Sequence, residues 1–309
     1  MAHATDETTF DIVIAGAGYV GLATAVSIKA ARPNLSVLIV DAAPEGVWQR
    51  DTRASAIAAA ATRMLDQLGC WAEIAPGAQA MTEMIVTDSR TSDPVRPVFL
   101  TFDGEVGPGE AFAHMVANKN LNGALRGKAA ELGVEIREGL GVTGFETLPA
   151  ATRVTFADGG SVEAKLLAAA DGVKSRLRDM AGIKTVHWDY GQSGIVCTVS
   201  HERPHNGRAE EHFLPAGPFA TLPLAPDEAG NNRSSIVWTE STRDADRLVA
   251  SDIIVFEHEL EQRFGLQLGE IRVEGKPRAW PLGLTLARDF VKPRFALVGD
   301  AAHGIHPIA

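Results

Sequence analysis

Residues 10–21 read FDIVIAGAGYVG, and this stretch decides the fold of the amino-terminal half. Residues 10–15 are apolar and rich in β-branched side chains, which is typical of a buried parallel strand. The Ala-rich residues 19–31 predict a helix that stops at Arg32-Pro33. Residues 36–40 predict a second buried strand. These segments together form a βαβ unit of about 30 residues.

The spacing of Gly16, Gly18 and Gly21 fits a phosphate-binding turn. Gly16 makes the tight turn, Gly18 lets the backbone approach a pyrophosphate, and Gly21 allows the helix and strand to pack closely. The N-terminus of the helix then offers free N–H groups to an anion. Asp41 follows the second strand, where a carboxylate accepts hydrogen bonds from the hydroxyl groups of a ribose. A glycine-rich turn without a ligand is the alternative, and the motif alone does not separate FAD from NAD.

Beyond this unit, helical patterns alternate with strands and then give way to strands. Helices are predicted over 53–68, 121–132 and 241–264, the last opened by a capping box at Ser241 and Asp244. Two further buried strands end at Asp171-Gly172 and at Gly299-Asp300. Short strands are predicted within 84–102, 134–136, 153–156, 194–200, 208–214, 219–224 and 234–239.

This order predicts an α/β chain, α+β overall, with two units. The first is a Rossmann-like dinucleotide-binding domain with a parallel sheet, assembled from residues 1–80, 108–182 and 281–309. The second is an inserted, mainly antiparallel β-sheet domain, formed by residues 81–107 and 183–280.

Composition excludes several classes of protein. The 309 residues carry 29 basic and 39 acidic side chains, so the net charge of −10 argues against a nucleic-acid partner. The two cysteines, Cys70 and Cys197, cannot form a disulfide framework or a four-Cys zinc site. The first nine residues lack the pattern of a signal peptide, and the apolar run 12–26 is too short and Gly-rich to span a bilayer. We therefore expect a cytoplasmic protein.

Three more motifs connect the chain to a known family. They are DTRASA at 51–56, ADGVKSRLR at 170–178 and FALVGDAAHGIHP at 295–307. With the glycine motif, they resemble the FAD-dependent aromatic hydroxylases of the p-hydroxybenzoate hydroxylase type. The stretch LGCW at 68–71 makes the chain more similar to the branch that hydroxylates the ring of ubiquinone precursors. The resemblance extends over essentially the whole chain.

The resemblance implies that the Rossmann-like unit is an FAD-binding domain and that the inserted sheet is a substrate domain. It also implies a set of cofactor contacts. Asp300, after Gly299, would contact the ribityl and pyrophosphate region of FAD. Arg53 would lie beside the flavin and phosphates, where a fixed cation offsets anionic charge. Asp171 and Gly172 match the motif that touches FAD and the nicotinamide donor, and Asn118 stands where relatives carry a polar ribityl contact. Taken alone, Asp171-Gly172 is more typical of a hairpin turn and Arg53 of a solvated helix cap, and the surrounding motifs favour the cofactor roles.

The implied reaction is hydroxylation of a phenol or polyprenylphenol by FAD, NADH or NADPH, and O2. The substrate is expected near residues 191–224, in an apolar channel, and the enzyme at the surface of the inner membrane or in a quinone-biosynthesis complex. No catalytic side chain is identified. The alternatives are an FAD-dependent reductase or dehydrogenase without oxygen transfer, and a non-catalytic flavin-binding remnant. The chain ends at Ala309, inside the last motif, so we expect it to be truncated at its C-terminus.

Two groups of side chains receive structural interpretations. His201, His205 and His212, with Glu210 and Glu211, are predicted to lie on a surface loop rather than to bind a metal, because Pro204 and Asn206-Gly207 interrupt them. The five tryptophans are predicted to be core residues rather than stacking platforms. They are Trp48, Trp71, Trp188, Trp238 and Trp280.

Overall fold

A computed structural model of the chain describes residues 9–93, 95–103 and 105–306; Pro307, at the end of the last motif, lies outside them. The helices are α1 Tyr19–Ala31, α2 Ala59–Gln67, α3 Trp71–Ile74, α4 Asn118–Glu131, α5 Arg176–Met180, α6 Thr242–Val249 and α7 Ile253–Phe264. The strands are β1 Thr9–Ala15, β2 Val37–Val40, β3 Ala54–Ala58, β4 Ala78–Met81, β5 Glu83–Asp88, β6 Val98–Asp103, β7 Glu105–Gly107, β8 Glu110–Ala111, β9 Ala113–Ala117, β10 Glu135–Arg137, β11 Val142–Thr147, β12 Thr152–Phe156, β13 Ser161–Ala169, β14 Thr185–His201, β15 Arg208–Leu214, β16 Gly217–Leu224, β17 Asn232–Ser241, β18 Ile271–Ala287, β19 Val291–Lys292, β20 Phe295–Leu297 and β21 His303–Gly304.

The first sheet contains the predicted βαβ unit. Its strand order is β10-β2-β1-β13-β12-β11, and β20 also pairs with β13. The pairs β10–β2, β2–β1, β1–β13 and β13–β20 are parallel, whereas β13–β12, β12–β11 and β19–β20 are antiparallel. Val13 and Ile14 are fully buried because helices and strands cover both faces of the central strand. The predicted parallel sheet is confirmed.

The second sheet is long and mainly antiparallel, as predicted. Its order is β21-β18-β14-β17-β16-β15-β5-β6, and β15 with β5 is its parallel pair. One face, here called the helix face, packs on α6 and α7 through Phe219, Trp238 and Phe256. The opposite face, here called the inner face, includes Ala209 and Leu222. The two sheets together confirm the predicted α/β class.

A small sheet joins the two large ones. Its order is β3-β9-β4, and Ala113 and Met115 of β9 pack with Ala209 on the inner face. The prediction of one helix over 53–68 is wrong in its first third, because Ala54–Ala58 form β3. Ala54 pairs with Ala117, so strand pairing overrides the helix preference of alanine.

The predicted helix 241–264 is two helices. The hydroxyl of Ser241 accepts a hydrogen bond from the backbone N–H of Asp244 at 3.2 Å, which confirms the predicted cap of α6. The helix ends at Val249, and Asp252 then caps α7 by accepting from Ile254 N–H at 2.9 Å. Among the helices that the structure describes, none is long and apolar enough to cross a membrane.

Candidate functional site

The turn between β1 and α1 is shaped by glycines with different surroundings. Gly16 has φ +114°, and a Cβ there would collide with the carbonyl oxygen of Ala170. A Cβ on Gly21 would collide with the carbonyl oxygen of Gly16. Gly18 has no heavy atom within 4 Å of the position its Cβ would take. Gly16 and Gly21 are therefore required for packing, while Gly18 leaves open space before the helix.

Asp41 lies beside this turn at the end of β2. Its Oδ2 accepts a hydrogen bond from Ala17 N–H at 2.6 Å, and its Oδ1 accepts from Ala43 N–H at 2.7 Å. No side chain caps the N-terminus of α1. The first turn of the helix therefore keeps N–H groups free for an anion, with a carboxylate fixed next to them.

The ends of β13 and β20 meet the same turn. Asp171 follows β13, and its backbone nitrogen lies 3.3 Å from the position that a Cβ on Gly16 would take. Gly299 follows β20, where a Cβ would lie 2.8 Å from Cγ1 of Val20 in α1. Gly172, with φ +84°, and the exposed Asp300 come next in the chain. The fold therefore brings two distant motifs to the glycine motif at the N-terminus of α1.

Arg178 ties two of these motifs together. Its side chain is buried, and its Nη1 donates to the carbonyl oxygens of Val173 and Ala301, each at 3.1 Å. This arginine lies within the second motif, but the sequence does not predict its role.

A polar network surrounds Arg53. Asp51 accepts from Arg53 Nε at 2.9 Å and from Nη2 at 2.7 Å. Asn118, the buried first residue of α4, donates to Asp51 at 3.2 Å and accepts from Ser55 at 2.8 Å. Burial raises the pKa of Asp51, but the hydrogen bonds from Arg53 and Asn118 outweigh it, so the net pKa falls. The hydrogen bond to Asp51 raises the pKa of Arg53, and Tyr19 also lies near this guanidinium.

Asp51 and Ser55 were not predicted as site residues, although both lie in the DTRASA motif. They hold Arg53 and Asn118 in place, and Tyr19 is the first residue of α1. The network thus lies close to the glycine turn. The guanidinium carbon of Arg53 also lies 5.7 Å from the centre of the Trp280 ring, on the inner face.

Arg126 is a second cation that sequence reasoning missed. Its Nη2 donates to the carbonyl oxygen of Ala17 at 3.3 Å and pairs with Glu138 at 2.9 Å. Its guanidinium carbon lies 5.2 Å from the Trp48 ring, which borders a cleft of about 390 Å³. Position on α4 alone gives no signal for this role, since only the fold brings Arg126 to the glycine turn.

The predicted surface loop is wrong for four of its five residues, because only His205 lies in the connection between β14 and β15. His201 lies on β14 and His212 on β15, and both are buried. His201 Nε2 lies 3.0 Å from the hydroxyl of Ser234, and His212 Nδ1 lies 2.5 Å from that of Thr87. Strand pairing buries these imidazoles and supplies their partners. Within the part of the chain that the structure describes, no group of three or more His, Cys, Asp or Glu residues is placed to hold a metal ion.

The tryptophan prediction is wrong for two residues. Trp238 is fully buried in the core between the second sheet and its helices. Trp188 is 66% exposed and Trp280 is 46% exposed. They are on the paired strands β14 and β18, where the sheet leaves the core.

The residues at the α1 turn fit FAD. Free helix N–H groups and the open space at Gly18 suit a pyrophosphate, and Asp41 suits a ribose. Arg53 is a fixed cation for a phosphate or flavin, and the exposed carboxylate of Asp300 suits hydroxyl groups.

Comparisons with known proteins agree with this fit. The family model described as FAD binding domain matches residues 9–309. The chain is 38% identical to the ubiquinone hydroxylase UbiL of Rhodospirillum rubrum over 97% of this chain and 68% of that protein. It is 31% identical to the 3-demethoxyubiquinol 3-hydroxylase of Escherichia coli K12, over 97% of this chain and 74% of that protein. A crystal structure of pqsL, a probable FAD-dependent monooxygenase from Pseudomonas aeruginosa, superimposes with a TM-score of 0.79 at 19% identity, covering 97% of this chain and 81% of that one.

Proposed function

The chain belongs to the FAD binding domain family, and on that premise we propose that it hydroxylates the phenolic ring of a ubiquinone precursor. It is an FAD-dependent monooxygenase, and its relatives in Rhodospirillum rubrum and Escherichia coli are named as hydroxylases of ubiquinone and of 3-demethoxyubiquinol. The observation that carries the proposal is the convergence of Gly16, Asp171 and Gly299 on the free N-terminus of α1.

The cofactor-binding roles are part of the proposal. The first turn of α1 binds the pyrophosphate, and Gly18 lets it approach the backbone. Asp41 binds the adenosine ribose, while Asp300 after Gly299 binds ribityl hydroxyls. Asp51 orients Arg53 toward the phosphates, and Asn118 supports this pair from α4. Asp171 and Gly172 border both FAD and the nicotinamide donor.

FAD, once bound and reduced by NADH or NADPH, supplies the chemistry that activates O2. The chain's own residues bind and orient the phenol and keep water away from the reacting ring. The inner face of the second sheet is suited to this task because it lies opposite Arg53 and presents apolar side chains. An apolar face matches a substrate with a polyprenyl chain.

We also propose that the enzyme works in the cytoplasm at the surface of the inner membrane, within reach of other quinone-biosynthesis enzymes. A polyprenylphenol resides in the membrane because of its apolar chain. Strand β6 lies at the edge of the second sheet, and its side chains Val98, Phe99 and Phe102 are each more than half exposed. Exposed apolar side chains of this kind are typical of surfaces that contact a partner or a membrane.

The test is the absorption spectrum of the purified chain after incubation with FAD and desalting. We expect a retained flavin spectrum, and oxidation of NAD(P)H that accelerates when 2-prenylphenol is added. A chain that retains no flavin would contradict the proposed cofactor site. A chain that retains flavin but never responds to a phenol would contradict the proposed substrate.

A further inference from the structure

One row of the inner face carries a single acid among apolar side chains. The residues that pair in this row, from β5 to β14, are Val86, Glu211, Ala220, Val237 and Val196. Directly paired residues point to the same face of a sheet. The direct neighbours of Glu211 in this row are Val86 and Ala220, and Val237 and Val196 continue the apolar row on the next two strands. The row ends on β18 at the exposed Arg278.

Two contacts show that this row faces the candidate FAD site. Ala209, two residues before Glu211 on β15, packs with Ala113 and Met115 of the small sheet. Trp280, two residues after Arg278 on β18, lies against the guanidinium of Arg53. The row of Glu211 lies between these two contacts. Its side chain thus belongs to the face that borders the gap between the second sheet and the cofactor-binding residues.

Glu211 lacks a partner within the described ranges 9–93, 95–103 and 105–306. Glu211 is 7% exposed, and its carboxyl group forms no hydrogen bond or ion pair there, although its oxygens are not fully enclosed. Burial raises the pKa of this carboxyl to about 7. Burial of a carboxyl group without a partner lowers the stability of the fold. Functional sites contain such groups because a bound ligand supplies the missing partner.

A second polar side chain on the inner face also lacks a hydrogen-bond partner among the described residues. Thr239 on β17 is 1% exposed, and its Oγ1 has no hydrogen-bond partner among the described residues. Thr239 pairs with Gly194, which pairs with Trp280, so all three share this face. The inner face therefore holds two polar residues without a partner among the described residues, the enclosed hydroxyl of Thr239 and the less enclosed carboxyl of Glu211. Such groups are expected of a binding surface for a ligand with polar substituents on an apolar frame.

We propose that Glu211 binds the substrate by accepting a hydrogen bond from the hydroxyl group of its phenolic ring. The inference rests on the proposed function and names the side chain that recognises the phenol. A carboxyl oxygen is a strong acceptor for a phenolic O–H. The hydrogen bond increases electron density on the ring, which favours transfer of an electrophilic oxygen atom to it. The apolar neighbours of Glu211 pack against the ring and its prenyl chain.

The test compares binding of 2-prenylphenol with that of its methyl ether, 2-prenylanisole, which has no hydroxyl donor. Binding to the FAD-loaded enzyme is followed by tryptophan fluorescence, which does not depend on turnover. We expect the wild-type protein to prefer the phenol by about 10- to 100-fold. Glu211→Leu should abolish this preference, while Glu211→Gln, which keeps an amide oxygen, should retain part of it. Leucine and glutamine are close in size to glutamate, so the packing is preserved.

Glu210→Leu is the matched control. Glu210 is the next residue on β15 but points to the helix face, where it accepts a hydrogen bond from Gln267 at 2.5 Å. This variant should keep the wild-type preference for the phenol. If Glu211→Leu keeps the preference as well, the assignment of Glu211 is overturned while the proposed function stands. If the wild-type protein binds neither compound, the proposed substrate class is overturned, and the assignment with it.

Discussion

At the scale of single residues, the glycines of the β1–α1 turn separate packing from cofactor binding. Gly16 requires a positive φ and close contact with Ala170, whereas Gly18 has φ −70° and open space where its Cβ would lie. We expect Gly16→Ala to destabilise the fold by about 1–3 kcal/mol or more. Gly18→Ala should leave the unfolding temperature unchanged but weaken FAD binding at least about tenfold, because its methyl group occupies the space of the pyrophosphate.

Thermal unfolding of the FAD-free chain and titration with FAD measure the two effects. Gly18→Ala serves as the matched control for Gly16→Ala, since both variants add one methyl group to the same turn. Equal loss of stability in both variants would mean that the space before α1 is not open.

The pKa of Glu211 makes a second prediction, about stability. The pKa rises from 4.5 to about 7 on folding because the carboxyl is buried. Below pH 4.5 the Glu211 carboxyl is neutral in the folded and in the unfolded chain, so its ionisation does not affect the free energy of unfolding. Between pH 4.5 and 7 the unfolded chain ionises first, and above pH 7 the folded chain bears the full cost of about 3 kcal/mol. Glu211→Gln removes this cost and should therefore stabilise the protein progressively as the pH rises from 4.5 to 7.

Urea unfolding at pH 4.5, 6 and 8 measures this gain in the protein without cofactor or substrate. Glu228→Gln, on the exposed loop between β16 and β17, is the control and should give a flat difference. A gain for Glu211→Gln that does not change with pH would show that this carboxyl is not desolvated in the folded chain.

At the scale of secondary-structure elements, local signals predict α6 better than β3. The start of α6 can be predicted because the capping hydroxyl of Ser241 and the N–H group of Asp244 that donates to it are close in sequence. We expect Ser241→Ala to lower the free energy of unfolding by about 1 kcal/mol, while Ser241→Asp, which keeps an acceptor, should retain it. Denaturant unfolding of both variants gives the comparison. Equal stability of wild type and Ser241→Ala would show that the cap contributes nothing.

Strand β3 shows why some elements cannot be predicted from the local sequence. Residues 54–58 are rich in alanine, which favours helices, yet they pair with β9, sixty residues away in sequence. Such pairing depends on the tertiary fold, and no local pattern signals it. The break between α6 and α7 differs in kind, because Asp252 provides a local capping signal that the continuous helix prediction overlooked.

At the scale of the whole molecule, site residues can be predicted from sequence only where they lie close together along the chain. Gly16, Gly18, Gly21 and Asp41 lie in one βαβ unit, so their spacing alone predicts a dinucleotide site. Arg126 and Glu211 reach the site through α4 and β15, and they have no motif of their own. Because long-range packing decides which face of β15 is buried, the sequence could not separate Glu211 from Glu210.

Histidine placement follows the same reasoning. A sequence interrupted by Pro204 and Gly207 suggests an exposed loop, but the flanking strands β14 and β15 are long enough to bury His201 and His212. Their neighbours Thr87 and Ser234 come from other strands. Only the assembled second sheet shows that these imidazoles are satisfied core residues.

The most direct test of the whole account is the fate of molecular oxygen. The purified chain, loaded with FAD, is supplied with NADH or NADPH, 2-prenylphenol and ¹⁸O₂, and the products are examined by mass spectrometry. The account predicts a hydroxylated phenol that carries one ¹⁸O atom for each molecule of product. Oxidation of the nicotinamide without labelled product would contradict it, and would identify the chain as a reductase or as a flavin-binding protein that does not transfer oxygen.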